Sequence, residues 1–266
     1  MINRLISFEL CGRFAHFRKF YTNSSSLTYL LPPKTVITGL LASILQKPRD
    51  SYYDLFKEEN TKIAIALNSK VKKQMQSMNY LHDKFHDYLT KGGETKYHHS
   101  QCKLELLSGV DNSFIKYQVY VWHSTIFGDL LSAITENRLG YGIYFGQRQF
   151  SAFIQNVQVI DSFKRVENST YLDSAILKEN IISLGLNETC HIISELMPSS
   201  MKPEFEEIKE NKNKKRTAES DVNKTTKIIG REPVKTCTVF FESTGQRITG
   251  QFKNCWQADD KVISFY

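Results

Sequence analysis

The sequence predicts an α+β protein built on a ferredoxin-like βαββαβ core. Three observations point there: an alternating segment at the start of the chain, two stretches with apolar residues at helical spacing, and further alternating segments placed between and after them.

Ile6, Phe8 and Leu10 alternate with Ser7 and Glu9, so residues 2–11 read as a strand with one face against a core. After the Pro32-Pro33 stop, Ile37, Leu40, Leu41 and Ile44 fall at i, i+3, i+4 and i+7, which puts four apolar side chains on one helical face. Ile63, Ile65 and Leu67 alternate with small or polar neighbours, and Ile115, Tyr117, Val119 and Val121 alternate with Lys116, Gln118 and Tyr120. Phe127, Leu130, Leu131 and Ile134 repeat the helical spacing behind a Ser124-Thr125 start signal. Residues 143–145 and 152–159 then return to extended character. An antiparallel sheet with both helices on one face follows, leaving the other face or its edge loops free for ligands, an order shared with RNA-recognition (RRM-like) folds.

Bulk properties narrow the class. The 266 residues, 41% of them hydrophobic, suffice for one substantial core and allow a second. No apolar run is long enough to span a bilayer, and the alternating N-terminus lacks a signal-peptide block, so a cytoplasmic chain without membrane contact is expected. Cys11, Cys102, Cys190, Cys237 and Cys255 are odd in number, far apart and free of any CxxC pair, which argues against a disulfide framework or zinc ribbon. A net charge of +7 favours a polyanionic partner without naming it.

Residues 71–107 exceed what a hairpin between two strands requires and carry a Lys91-Gly92-Gly93-Glu94 turn signal. They read as a protruding insertion whose Lys72, Lys73, Lys84, Lys91, Lys96, His98, His99 and Lys103 suit phosphate contacts, although a solvated loop would have the same composition. Residues 202–235 hold ten Lys or Arg and seven Asp or Glu with few large apolar side chains, the composition of a mobile linker. Residues 238–242 and 262–266 read as strands of a small C-terminal sheet folded back on the main body. The expected division is a core at 1–160, with its insertion, and a β-rich region at 161–266.

Two segments resemble a known family. Gly12-Arg13-Phe14-Ala15-His16-Phe17-Arg18, followed by Tyr29-Leu30-Leu31-Pro32-Pro33 and Thr35-Val36-Ile37-Thr38-Gly39-Leu40-Leu41, resembles the N-terminal signature of the fifth family of CRISPR-associated proteins in the RAMP superfamily. Leu139-Gly140-Tyr141-Gly142 through Phe150-Ser151-Ala152 is similar to that family's glycine turn ending in Phe-x-Ala, so the likeness covers residues 1–160. It implies a subunit of the CRISPR surveillance (Cascade) complex, most like type I-B members, that grips the 5′ handle of the crRNA and caps the backbone filament. Its thumb-like hairpin, matching residues 71–107, would reach the adjoining backbone subunit, with the large subunit docked nearby for antiviral DNA targeting.

The residues support such a role on their own chemistry. Arg13, His16, Arg18 and Lys19, interleaved with Phe14, Phe17, Phe20 and Tyr21, combine phosphate-pairing cations with rings on which unpaired bases stack, although the same rings suit core positions. Glycines at 12, 140, 142 and 146 allow positive φ and close backbone approach. The candidate RNA contacts are Arg13, His16, Arg18, Lys19, Tyr21, Tyr29, Lys34, Lys96, His98, His99, Gly146, Gln147 and Arg148.

One branch of the family is a metal-independent ribonuclease that uses Tyr, Lys and His. The Lys96-Tyr97-His98-His99 cluster supplies such groups, which can activate a 2′-hydroxyl and protonate a leaving oxygen. These residues do not align with that branch's catalytic positions, so a non-catalytic RNA-binding subunit is expected, with pre-crRNA endoribonuclease as the alternative. His82 and His86 are four apart but lack an intervening Glu, and no nucleotide-binding glycine loop or nucleophile elbow occurs, so neither a metal nor a cofactor is expected.

Overall fold

The computed structural model describes residues 4–22, 26–81, 99–185, 190–207 and 226–266. Four strands form the central sheet: β1 (Leu5–Gly12), β3 (Thr61–Leu67), β6 (Ile115–His123) and β7 (Ala152–Ile160). Their order is β3-β6-β1-β7 with every adjacent pair antiparallel. The register puts Ile6 opposite Val121, Phe8 opposite Val119 and Leu10 opposite Tyr117, so the alternation read in each strand converges on one apolar face.

Two helices cover that face: α1 (Lys34–Ile44) through Ile37, Leu41 and Ile44, and α2 (Phe127–Thr135) through Leu130 and Ile134. Pro33 sets the start of α1, where its fixed φ and missing N–H cost nothing. The expected Ser124-Thr125 start of α2 is replaced by an imidazole. His123 donates from Nε2 to the Leu55 carbonyl at 2.9 Å, leaving Nδ1 to accept the N–H groups of Thr125 (3.2 Å) and Ile126 (3.3 Å).

The opposite face is not free for ligands, contrary to the expectation. Leu5, Ala64, Tyr120 and Ile160 are buried there beneath Ala258 and Ile263 of the C-terminal strands β13 (Ile248–Ala258) and β14 (Lys261–Ser264). Trp256 stacks on Phe163 of β8 (Phe163–Leu172) at 4.6 Å and 10° beside this layer. β13 also pairs with β8 and β10 (Ile181–Leu184), so this second sheet buries apolar area that the first would otherwise expose.

The insertion is a two-stranded hairpin of β4 (Val71–Leu81) and β5 (His99–Gly109), whose base pairs with the short β2 (Phe14–Ala15). Leu104, Leu106 and Leu107 anchor that base in the main core. Residues 82–98 lie outside the described residues, among them Lys84, Lys91, Lys96 and His98.

Two further expectations need correction. Residues 202–207 and 226–235, read from composition as linker, are the outer arms of a long hairpin of β11 (Ile192–Glu207) and β12 (Thr226–Glu242), which pair along their lengths. Charged side chains on a strand exposed on one face resemble linker composition, whereas the ladder is made by the backbone. Pro198 and Pro203 are accommodated because β11 is an edge strand and the register shifts next to Pro198. Residues 238–242 and 262–266 also do not share a sheet: the former end β12, which pairs with β11 and β9 (Ile176–Leu177), while the latter run from β14 into the main core through Tyr266. Residues 143–145 form a turn with a single bridge, Tyr144 to Ser151, and not a strand.

Candidate nucleic-acid interface

A groove of about 1450 Å³ runs between three walls: the start of α1 with the loop after it, the glycine turn at 141–148, and the hairpin segments Pro198–Pro203 and Arg231–Lys235. Nine cationic side chains line it: Arg18, Lys34, Lys47, Arg49, Lys57, Arg148, Lys202, Arg231 and Lys235. Asp54 and Glu58 are the acidic ones. Five of the nine are ion-paired, Arg49 and Arg231 with Asp50, Lys57 with Asp54, Lys202 with Glu232 and Lys235 with Glu58, and the cationic excess that remains lowers the energy of a polyanion along the groove before any specific contact forms. Tyr141, 67% exposed, and Tyr144, 39% exposed, are among its lining residues, the residue type on which unpaired bases stack.

The glycine turn is built by close packing. Gly146 has φ +82°, and a Cβ there would meet the His16 carbonyl oxygen at 1.9 Å. A Cβ on Gly12 would meet the Phe145 ring at 2.6 Å. These glycines let two chain segments approach each other, and Gly12 does so without a positive φ. Phe17 closes the junction from below, edge-on to Phe145 at 5.7 Å and to Tyr117 at 5.9 Å. Phe14 stays exposed, so the two rings of the Arg-Phe-Ala-His-Phe segment divide between surface and core.

The fold brings His16, Arg18, Lys34, Gly146, Gln147 and Arg148 to this groove, while Arg13, Lys19, Tyr21 and Tyr29 lie outside its lining. Several have structural engagements. His16 is buried, donating from Nδ1 to the Glu105 carbonyl at 2.7 Å and accepting the Ser26 hydroxyl at Nε2 at 2.9 Å. Burial holds its pKa below the ordinary value, so it is a neutral strut and not a phosphate-pairing cation. Lys19 forms an ion pair with Glu195 at 2.7 Å and lies over the Tyr29 ring at 5.3 Å. Tyr29 is fully buried and donates its hydroxyl to the Leu196 carbonyl at 2.7 Å, so it cannot stack on a base. Tyr21 is half exposed, with its ring edge-on to Phe20 and Tyr29.

Arg13 lies outside the groove lining, with its guanidinium 4.9 Å from the Phe114 ring centroid. Gln147 accepts from Gln149 at 2.6 Å and from the Tyr80 hydroxyl at 3.4 Å, tying the glycine turn to β4. Lys96 and His98 lie outside the described residues, and His99 is described only as the first residue of β5. Among the described residues, no group of three or more His, Cys, Asp or Glu could hold a metal ion, and no helix is long and apolar enough to cross a membrane.

The sequence reading missed the third wall. Lys202, Arg231 and Lys235 were hidden inside a segment read as linker, and Arg49 and Lys57 inside a loop. The β-branched Thr236, Thr238 and Val239 with Phe240 and Phe241 are the signal that a strand extends backwards through Lys235. Two ion pairs hold this wall across the groove: Arg231 to Asp50 at 2.6 Å and Lys235 to Glu58 at 2.8 Å.

No family model matches the chain, and no curated protein matches it in sequence. A chain of a structure described as a CRISPR RNA-guided surveillance complex superposes with TM-score 0.48 at 13% identity, over 93% of this chain and 91% of that one. A CRISPR protein from Archaeoglobus fulgidus superposes with TM-score 0.53 at 11% identity, over 98% of this chain and 97% of that one, so the chain shares its fold with a CRISPR protein along nearly its whole length.

Proposed function

We propose that this chain is a non-catalytic, cytoplasmic subunit of a type I CRISPR surveillance complex that holds the 5′ handle of the crRNA in the basic groove and caps the backbone filament. The observation that carries this reading is the pairing of nine cationic side chains with exposed Tyr141 and Tyr144 along one groove, the combination that single-stranded RNA selects.

Three further features support it. The order β3-β6-β1-β7 with α1 and α2 on one face suits a ferredoxin-like βαββαβ core, the core of the RAMP superfamily. The Tyr29-x-x-Pro32-Pro33 and Thr35-x-x-x-Gly39-Leu40-Leu41 segments resemble the fifth family of CRISPR-associated proteins, in a type I-B-like form, and the fold is shared with a CRISPR protein. The β4–β5 hairpin, with Met75 and Tyr80 exposed on its arm, suits a thumb that meets an adjoining backbone subunit, and the large subunit would dock beside it. Both ring nitrogens of His16, the histidine in the groove lining, are bonded within the protein, which favours binding over acid–base cleavage.

Titrating purified protein with labelled single-stranded repeat RNA in EDTA, at several salt concentrations, tests the reading. Uncut RNA should be bound with an affinity that falls steeply with salt. Absence of salt-dependent binding, or site-specific cleavage in EDTA, would overturn it.

A further inference from the structure

Lys34 opens α1 and lines the groove, yet it is only 4% exposed. A buried ammonium is normally paired, because taking a charge out of water costs several kcal/mol. Among the described residues its ammonium has no hydrogen bond and no ion pair. Glu58 is the carboxylate that acts on it, and the same carboxylate is bound by Lys235 at 2.8 Å and also feels Lys62. Lys34, Lys62 and Lys235 thus surround Glu58, with Glu179 acting on Lys235, so ammonium groups outnumber carboxylates at the pocket.

The start of α1 adds donors of its own. No side chain caps the helix, and the N–H groups of Lys34 and Thr35 find no acceptor among the described residues. The positive end of an eleven-residue helix therefore faces the same pocket as the unpaired ammonium.

We propose that the pocket at the start of α1 is a seat for one phosphate group, held by Lys34, Lys235 and the first-turn N–H groups. The inference rests on the RNA-binding reading only for the source of the phosphate. A bound oxyanion would supply the charge that Glu58 alone cannot, and would fix the register of a strand lying in the groove, as phosphate contacts do. Burial, reinforced by Lys62 and Lys235, holds the Lys34 pKa below the ordinary lysine value, and an anion at the site would relieve that penalty. The phosphate can be a backbone phosphodiester or a terminal phosphomonoester, since both present the same oxygens.

Thermal unfolding in inorganic phosphate against equal-ionic-strength chloride, with repeat RNA titrations on wild type, Lys34→Met and Lys235→Gln, tests the site. Phosphate should raise the wild-type midpoint and leave Lys34→Met unmoved, with Lys235→Gln between them. Lys34→Met should be at least as stable as wild type in chloride, because it removes an unpaired buried charge, and should bind RNA about tenfold more weakly with a salt slope lower by about 0.7. Equal wild-type affinity for 5′-hydroxyl and 5′-phosphorylated RNA identifies a backbone phosphodiester, and preference for the phosphorylated form identifies a terminal group. Phosphate stabilisation of wild type alone, without any RNA affinity, keeps the site and removes the RNA reading. RNA binding undiminished in Lys34→Met, equal phosphate effects in all three proteins, or a Lys34→Met chain less stable than wild type in chloride overturns the site.

Discussion

The Lys19 ammonium lies 2.7 Å from the Glu195 carboxylate, joining the segment after β1 to β11 across 176 residues of chain. Both side chains are nearly buried, so each leaves the other uncompensated when removed. Glu195→Ala should cost about 3 kcal/mol in urea unfolding, with Lys19→Met near neutral only when combined with it. Burial alone would lower the Lys19 pKa, but the Glu195 hydrogen bond and charge override it and leave the value raised. The pair's contribution is thus complete at neutral pH and is lost as pH climbs through the raised value. A Glu195→Ala cost as large at the alkaline end as at pH 7 would contradict this.

At the glycine turn, Gly142 and Gly146 both have positive φ, but only Gly146 faces an obstacle, the His16 carbonyl. Gly142→Ala should cost about 1 kcal/mol for left-handed backbone alone. Gly146→Ala should cost more than about 2 kcal/mol, because the turn must also move off the His16 backbone. Equal losses in the two variants would show that the close approach carries no energy.

His16 and His123 are both buried and hydrogen-bonded in neutral form, with burial lowering each pKa below the ordinary value. Below the unfolded histidine value of about 6.5, the unfolded chain takes up protons that the folded chain refuses. Stability should therefore fall as pH drops from 7 to 5, and His16→Gln should flatten part of that slope. Chemical unfolding at stepped pH measures it, and an unchanged slope in His16→Gln removes His16 as a contributor.

Arg13 and Arg18 are close in sequence but differ in place: Arg18 lines the groove, whereas Arg13 lies over Phe114 outside it. Arg18→Ala should lower the salt slope of RNA binding by about 0.7, as expected for one phosphate contact to a single strand. Arg13→Ala should leave that slope unchanged. The reverse ranking would place the RNA on the other side of the molecule.

The Asp50 side chain is almost wholly buried between Arg231 at 2.6 Å and the Tyr53 hydroxyl at 2.5 Å. Asp50→Ala should release β11 and β12 from the groove wall, read as faster amide exchange at Arg231–Lys235 with slow exchange retained in β1 and β6. Uniform loss of protection through the sheet would instead make Asp50 a support of the whole fold.

Much of this protein was written in local pattern. The alternations around Phe8 and Val119 and the helical spacing of Ile37 to Ile44 specify which side chains face the core, because strand and helix periods act over a few residues. The same locality let Gly146 and Pro33 mark a turn and a helix start correctly. What the tertiary structure decided was which charged and aromatic groups line the groove. Lys19, His16 and Tyr29 find partners 176, 89 and 167 residues away and leave the surface, while Lys202, Arg231 and Lys235 arrive at the groove from a segment whose composition resembles linker. Charge pairing and burial depend on distance in space, which only the sheet order and the β11–β12 hairpin define, so no window of sequence could have assigned them.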